Sequence, residues 1–235
     1  MVVFSIVKIM KNYKQLVLAF LFCCISAFVA NAQNYPPKFM AGVIHLKNGE
    51  KVECEMADNT LLLSSPVVYR LSPNGKTKEM DPEKIQSIVL PDMEKEGGVY
   101  LIENVGFVDY KEYLKGTAKK VKHQRYCLVE YGDICLYCAI VSNMQIANAE
   151  RYICKKKDMD YGVYVGHAAI VAKRIGSSEY FYRTKGDFDK LYENLFGDYP
   201  ELCQQIREGK LKIQNMKDIV HEYNVYKAGK SGKDK

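Results

Sequence analysis

Residues 125–141 read RYCLVEYGDICLYCAIV, two runs of β-branched, aromatic and cysteine residues on either side of Gly132-Asp133. Glycine at the first loop position suits a two-residue type II′ turn, so the stretch predicts a β-hairpin. The expected register pairs Tyr131 with Ile134, Val129 with Leu136, and Cys127 with Cys138. Because side chains alternate between the faces of a strand, one apolar face results. It comprises Cys127, Val129, Tyr131, Ile134, Leu136, Cys138 and Ile140.

The cysteines of this hairpin admit several interpretations. Cys135 and Cys138 have C-x-x-C spacing, but positions three apart on a strand face opposite sides of a sheet. No second ligand pair for zinc follows them. We therefore predict ordinary strand cysteines there, with no metal and no cofactor. Cys127 and Cys138 would instead be cross-strand neighbours, either as disulfide candidates or as two packed thiols.

The chain before residue 185 reads as strands joined by tight turns. Asn48-Gly49 is the strongest hairpin signal, between the runs 42–46 and 51–56. Further β-type segments are 67–71, a strand ending at Met80, 85–90, 99–105, 107–114, 149–155, 164–175 and 180–183. Within them, residues 168–172 fit a helix or a strand, and the enclosing β-type segments favour a strand.

After residue 185 the apolar spacing becomes helical. A first helix is expected between Asp187 as its cap and Gly197 as its stop, and a second after Asp198, with Pro200 in its first turn. Asn215 would cap a third helix, whose apolar stripe is Met216, Ile219, Val220 and Tyr223.

Strands first and helices last predict an α+β fold. We expect an antiparallel β-rich domain over residues 33–185, as a small barrel or a sandwich. About three short helices over 186–226 would pack on it. A basic tail over 227–235 is expected to be disordered.

Residues 1–32 have the organisation of a secretory signal peptide. Three lysines (Lys8, Lys11 and Lys14) precede an apolar run over 16–29, and Ala30-Asn31-Ala32 offers small residues for cleavage. We predict cleavage after Ala32 and export to the periplasm, the extracellular space or the outer membrane surface. The apolar run is shorter than the roughly 20 residues that a spanning helix needs. The cleaved chain is therefore not expected to be an integral membrane protein.

The composition and the motifs argue against several classes of function. The 235 residues are 48% hydrophobic and 26% charged, a globular balance. The net charge of +6 falls to +3 without the three leader lysines, a surplus too small to indicate nucleic-acid binding. The sequence has no G-x-S-x-G, G-x-x-x-x-G-K-[ST] or H-E-x-x-H motif. Its four histidines (His45, His123, His167 and His221) lie in different segments, so we predict no catalytic residue.

Several short motifs resemble a group of uncharacterised exported proteins common in anaerobic Gram-negative bacteria of the Bacteroidota type. They are Gly42-x-Ile44 with Asn48-Gly49, Asp81-Pro82-x-x-Ile85, Tyr131-Gly132-Asp133-x-x-Leu136-Tyr137, the run from Leu195 to Ile206, and Asp218-Ile219-Val220-x-x-Tyr223-Asn224. The resemblance implies an exported β-rich domain with a helical end, and it carries no catalytic residue. One departure is Tyr199, where relatives often have cysteine, so a disulfide pattern in relatives would not transfer.

Two hypotheses for function follow. The first is a non-catalytic envelope protein that binds another envelope protein or a glycan. The second is an exported enzyme or thiol protein with a dispersed site around His167, Cys154 or Cys135. This alternative requires those three residues to converge in the fold.

Overall fold

A computed structural model describes residues 38–58, 66–92, 96–143, 146–172 and 180–231. Within these ranges the side chains of residues 140–148, 170–183 and 231 are not described. The predicted leader, its cleavage site after Ala32 and the last four residues lie outside the described part of the chain. From Phe39 onward, the described residues form one structural unit.

Eleven β-strands dominate the described chain up to Gly186. They are β1 (Phe39–Leu46), β2 (Lys51–Ala57), β3 (Val67–Arg70), β4 (Lys78–Met80), β5 (Ile85–Pro91), β6 (Val99–Val108), β7 (Lys122–Glu130), β8 (Ile134–Asn143), β9 (Ile146–Lys156), β10 (Gly162–Ala172) and β11 (Tyr180–Gly186). Strand β10 includes residues 168–172, so the strand interpretation of that run is confirmed.

The strands form one sheet in the order β11-β10-β9-β8-β7-β6-β5-β1-β2-β3-β4, with all neighbours in this order antiparallel. A parallel pairing between β6 and β10 closes β6 to β10 into a ring of five strands. The predicted α+β class is therefore confirmed, and the ring matches the closed arrangement rather than the sandwich.

The ring closes where Gly162 and Val163 of β10 pair with Phe107 and Val108 of β6. A Cβ atom at Gly162 would lie 2.7 Å from Ile153 Cγ2, closer than real Cβ atoms approach. The missing side chain therefore lets the start of β10 pack closely against β9, beside the seam of the ring.

Two hydrophobic clusters belong to the sheet. One consists of residues from the strands of the ring: Val105, Phe107, Tyr126, Cys135, Tyr137 and Ile153. The other lies under the strands outside the ring and reaches β6 through Ile102: Ile44, Cys54, Met56, Val67, Ile85, Ile88, Leu90 and Ile102. Along β8, Cys135 and Tyr137 belong to the ring cluster while Leu136 and Cys138 do not, as the period of two requires.

A third cluster joins the sheet to the helices, which are α1 (Tyr110–Leu114), α2 (Phe188–Phe196), α3 (Pro200–Arg207) and α4 (Met216–Ser231). The last three confirm the predicted helical end of the chain, and all four residues of the predicted α4 stripe are buried. Short 3-10 turns lie at Pro82–Lys84 and Ile213–Asn215.

Helix α1 corrects the predicted strand over 107–114. Asp109 caps it by accepting a hydrogen bond from the backbone N–H of Glu112 at 3.0 Å. The spacing Asp109-x-x-Glu112 fits a capping signal. The strand prediction, which rests on apolar and aromatic residues, does not take this signal into account.

The central hairpin is confirmed at Cys127–Cys138 and corrected at its tip. Leu128 pairs with Tyr137, but a bulge then makes Glu130, not Val129, the partner of Leu136. Gly132 also lacks the positive φ that a type II′ turn requires. The extra residue turns Val129 and Tyr131 outward, and Tyr131 is 73% exposed rather than part of the apolar face.

Two features of the helical end also differ from the prediction. The residue at the N-cap of α3 is Tyr199, not Asp198, whose carboxylate instead binds side chains of α4. Helix α4 continues to Ser231, so residues 227–231 are helical rather than part of a disordered tail. Lys227 supports this extension, because its Nζ lies 2.8 Å from Asp198 Oδ2.

Candidate functional site

Among the residues that the structure describes, a surface cleft of about 720 Å³ lies between the turns of the sheet and the helices. We call it the polar cleft. Its lining residues are Asp133, Ile134, Lys156, Lys157, Asp158, Glu193, Asn194, Leu195, Gly197, Asp198, Tyr223 and Lys227. Ile134, Leu195 and Tyr223 are buried and form its apolar floor, while charged and polar side chains surround them.

Four separate parts of the chain build this cleft, one of them being α4 with Tyr223 and Lys227. The turn before β8 and the turn after β9 are joined by a backbone hydrogen bond from Lys157 N–H to Asp133 O at 2.9 Å. The carboxyl end of α2 covers them, and Lys156 Nζ donates to Asn194 O at 2.8 Å. An ammonium group at this position also compensates the partial negative charge of the helix end.

The carboxylate of Asp198 has two side-chain hydrogen-bond partners in the cleft. The Tyr223 hydroxyl donates to its Oδ1 at 2.9 Å, and Lys227 Nζ donates to its Oδ2 at 2.8 Å. Burial alone would raise the pKa of Asp198, but the hydrogen bonds from Lys227 and Tyr223 outweigh it and hold the pKa below its usual range. The same hydrogen bond raises the pKa of Lys227.

Once the pair of Glu193 with Arg207 is set aside, the acidic and basic side chains that line the cleft are equal in number. The lysines lining the cleft are Lys156, Lys157 and Lys227, and the acids are Asp133, Asp158, Glu193 and Asp198. Glu193 is paired with Arg207, at 2.9 Å, and this hydrogen bond lowers the pKa of Glu193. Without that pair, the cleft presents three positive and three negative groups, so it has no net preference for an anion or a cation.

An aromatic pair adjoins the cleft next to Asp198. The rings of Tyr199 and Tyr226 are stacked, with centroids 3.9 Å apart and planes only 4° from parallel. The Tyr226 hydroxyl donates to Asp198 O at 3.0 Å, and Lys230 lies over the Tyr226 ring. The two tyrosines are half-buried, so the stack offers an amphipathic edge beside the charged side chains.

A second set of polar side chains lies on the sheet face beneath the start of α4. Cys127, Cys138 and Tyr152 occupy paired positions on β7, β8 and β9. Glu150 accepts hydrogen bonds from the Tyr152 hydroxyl and, at 2.8 Å, from Lys217 Nζ of α4. The structure thus confirms the predicted pairing of Cys127 with Cys138, and it has both as free thiols. Their disulfide stays a prediction.

The residues proposed for a dispersed enzyme site are not brought together. Cys135 belongs to the cluster formed by strands of the ring, whereas Cys154 belongs to the helix-covered cluster on the other face of the sheet. His167 pairs with Tyr164, whose hydroxyl lies 3.0 Å from its Nδ1. Burial also raises the pKa of the Cys154 thiol well above its usual range, which makes it a poor nucleophile at neutral pH.

The polar cleft was not found by sequence reasoning. Asp198 was interpreted as a helix cap and Tyr223 as part of an apolar stripe, because each fits those patterns locally. The contact between them joins residues 25 positions apart. No local spacing signals a hydrogen bond of that kind.

No protein-family model, curated protein or solved structure matches this chain. Among the helices of the described ranges, none is long and apolar enough to span a bilayer. Within the same ranges, no three His, Cys, Asp or Glu side chains lie together as metal ligands.

Proposed function

We propose that this chain is an exported, non-catalytic binding module of the bacterial cell envelope, and that it holds a neutral glycan in the polar cleft. The observation that carries the proposal is the pairing of Asp198 with Lys227 and of Glu193 with Arg207. A general acid or base works best with a pKa near the working pH. The pKa values of Asp198, Glu193 and Lys227 are all shifted away from neutrality by their partners.

The same pairing favours a neutral, hydroxyl-rich ligand over a charged one. Fixed carboxylates accept hydrogen bonds from hydroxyl groups, and ammonium groups donate to hydroxyl oxygens. Balanced charges offer both kinds of contact without a net field. The apolar floor formed by Ile134, Leu195 and Tyr223 suits the carbon faces of sugar rings.

Export supports an envelope glycan as the ligand class. The leader pattern over residues 1–32 and the cleavage motif ending at Ala32 are typical of secreted chains. A protein released beyond the inner membrane meets polysaccharide as its most abundant polar polymer, so a neutral polar cleft would find ligand there.

The proposal is tested by calorimetric titration with two probes, the neutral tetramer of N-acetylglucosamine and the acidic polysaccharide heparin. We expect binding of the tetramer, no binding of heparin and no cleavage of either. The variant Lys227→Met removes one partner of Asp198 and should weaken tetramer binding at least fivefold. Glu55→Gln breaks an ion pair of 2.6 Å with Arg70 on β3 and serves as the matched control.

Three results would contradict the proposal. Hydrolysis of the tetramer would make the protein an enzyme. Preferential binding of heparin would point to the lysines alone rather than to balanced pairs. Equal tetramer affinity in Lys227→Met and Glu55→Gln would place the binding surface outside the polar cleft.

A further inference from the structure

We propose that Cys127 and Cys138 are a redox-active dithiol that is oxidised to a cross-strand disulfide, with Lys217 of α4 as the residue that positions positive charge beside it. The pair lies on β7 and β8, outside the polar cleft. The inference is independent of the proposed function.

The strand register brings the Cα atoms of the two cysteines within the range that a disulfide spans. Cys127 and Cys138 are directly opposite each other in the antiparallel ladder. Opposite residues in such a ladder have Cα atoms about 4.5–5.5 Å apart. Disulfides span Cα separations of about 4.4–6.8 Å, so the bond can form without moving either strand.

The two thiols differ in their access to an oxidant. Cys127 is half-buried, and its Sγ donates to Leu128 O at 3.6 Å, whereas Cys138 is only 7% exposed. The order of steps follows from this difference. The Cys127 thiolate attacks a small disulfide, forms a mixed disulfide and expels one thiolate.

The Cys138 thiolate then attacks the Cys127 sulfur of the mixed disulfide and expels the second thiolate. The two cysteine protons end on the two released thiolates. In total, two cysteine thiols and one small disulfide give one protein disulfide and two small thiols. The oxidant is therefore reduced by two electrons, and no further reagent is needed.

Lys217 partly offsets the burial that disfavours the two thiolates. Its Nζ lies 2.8 Å from Oε1 of Glu150. Glu150 belongs to β9, the strand that pairs with the β8 strand of Cys138. Burial raises the pKa of both thiols, that of Cys138 to about 12, while Lys217 opposes this rise at both sites and Glu150 adds to it at Cys138. Within the Lys217–Glu150 ion pair, Lys217 thus promotes oxidation of the thiols, whereas Glu150 opposes it.

The test treats the purified full chain with oxidised glutathione, alkylates the remaining thiols and maps the peptides by mass spectrometry. We expect a Cys127–Cys138 disulfide and a melting temperature about 5 °C or more above that of the reduced protein. Cys138→Ala should trap glutathione on Cys127. Cys54→Ala, which removes a buried thiol of the outer strands, should leave the cross-link unchanged.

Three variants of the ion pair separate the charge effect from a structural one. Lys217→Met should slow disulfide formation about threefold, in line with a lower thiolate fraction, and Lys217→Arg should restore the rate. Glu150→Gln breaks the same ion pair but should speed the reaction. A change in the same direction in Lys217→Met and Glu150→Gln would overturn the role of Lys217. Cross-linking of any other pair, or a stable glutathione adduct on Cys127 in the unmodified protein, would overturn the dithiol itself.

Discussion

Asn224 of α4 satisfies both backbone polar groups of Ile134, the first residue of β8. Its Oδ1 accepts from Ile134 N–H at 3.0 Å and its Nδ2 donates to Ile134 O at 2.9 Å. Both residues are buried, and they are 90 positions apart in the chain. The side chain thereby replaces a neighbouring strand at the end of β8 that lies beyond its last pair with β7, Leu136 with Glu130, and it fixes α4 on the sheet.

Replacing Asn224 by Ala should destabilise the protein strongly. The change leaves a buried N–H and a buried C=O without partners, which costs about 2–3 kcal/mol. Urea denaturation would measure the loss. Val225→Ala, at the next position and 59% exposed, should change stability by less than about 0.5 kcal/mol. Similar losses in the two variants would contradict the assigned role of Asn224.

Gly132→Ala should be destabilising through the same side chain. A Cβ atom at Gly132 would lie 2.5 Å from Asn224 Nδ2 and 2.6 Å from Oδ1. Displacing this amide should cost about 1–3 kcal/mol. In the Asn224→Ala background the clash is gone, and the cost should fall below about 0.5 kcal/mol. A double-mutant cycle checks this coupling, and additive losses would show that the two residues act separately.

Asp198 should contribute stability only above acidic pH. Its pKa in the folded protein lies below the usual value, which is about 3.9 in an unfolded chain. The contribution is therefore complete above that usual value and is lost as the pH falls through the lower folded pKa. Because the side chain is about half exposed, at 49%, the pair with Lys227 contributes at most about 1 kcal/mol.

Urea midpoints at pH 7 and at pH 2 would test this pH dependence. Asp198→Asn should be less stable than the unmodified protein at pH 7 and should approach it at pH 2. Glu201→Gln, an exposed change on α3, should show no such difference. A constant gap between Asp198→Asn and the unmodified protein at both pH values would contradict the prediction.

The leader prediction can be checked without the structure. Expression of the full sequence in a Gram-negative host should give a periplasmic product that begins at Gln33, one residue after the predicted site at Ala32. Intact-mass spectrometry of the periplasmic fraction measures this directly. Ala32→Arg should block cleavage, because the site requires a small residue. A product that keeps Met1 or Met10 would refute the prediction.

Local patterns determined much of the architecture. The turn signal Asn48-Gly49 predicted the first hairpin, and alternation of apolar residues predicted the pairing of Cys127 with Cys138. The enclosing β-type segments favoured the strand over 168–172. Helical spacing after Asp187 predicted α2, and the stripe ending at Tyr223 predicted the buried face of α4. These features follow from the backbone period of each element, so nearby residues suffice to reveal them.

The hairpin tip and the polar cleft depend on contacts between distant parts of the chain. The bulge that exposes Tyr131 accompanies the docking of Asn224 on Ile134, and the Gly132 position is limited by the same side chain. Asp198 is not the N-cap of α3 that local patterns predict, because its carboxylate binds Tyr223 and Lys227 instead.

By itself, the sequence determined the α+β class, with strands before the helical end of the chain, and the cross-strand pairing of Cys127 with Cys138. The tertiary structure decided how the ring closes at Gly162, where α4 docks and which charges meet in the cleft. The physical reason is that periodicity records only which side of an element faces the core. Hydrogen bonds and ion pairs between elements form only after packing has brought their side chains within about 3 Å of each other.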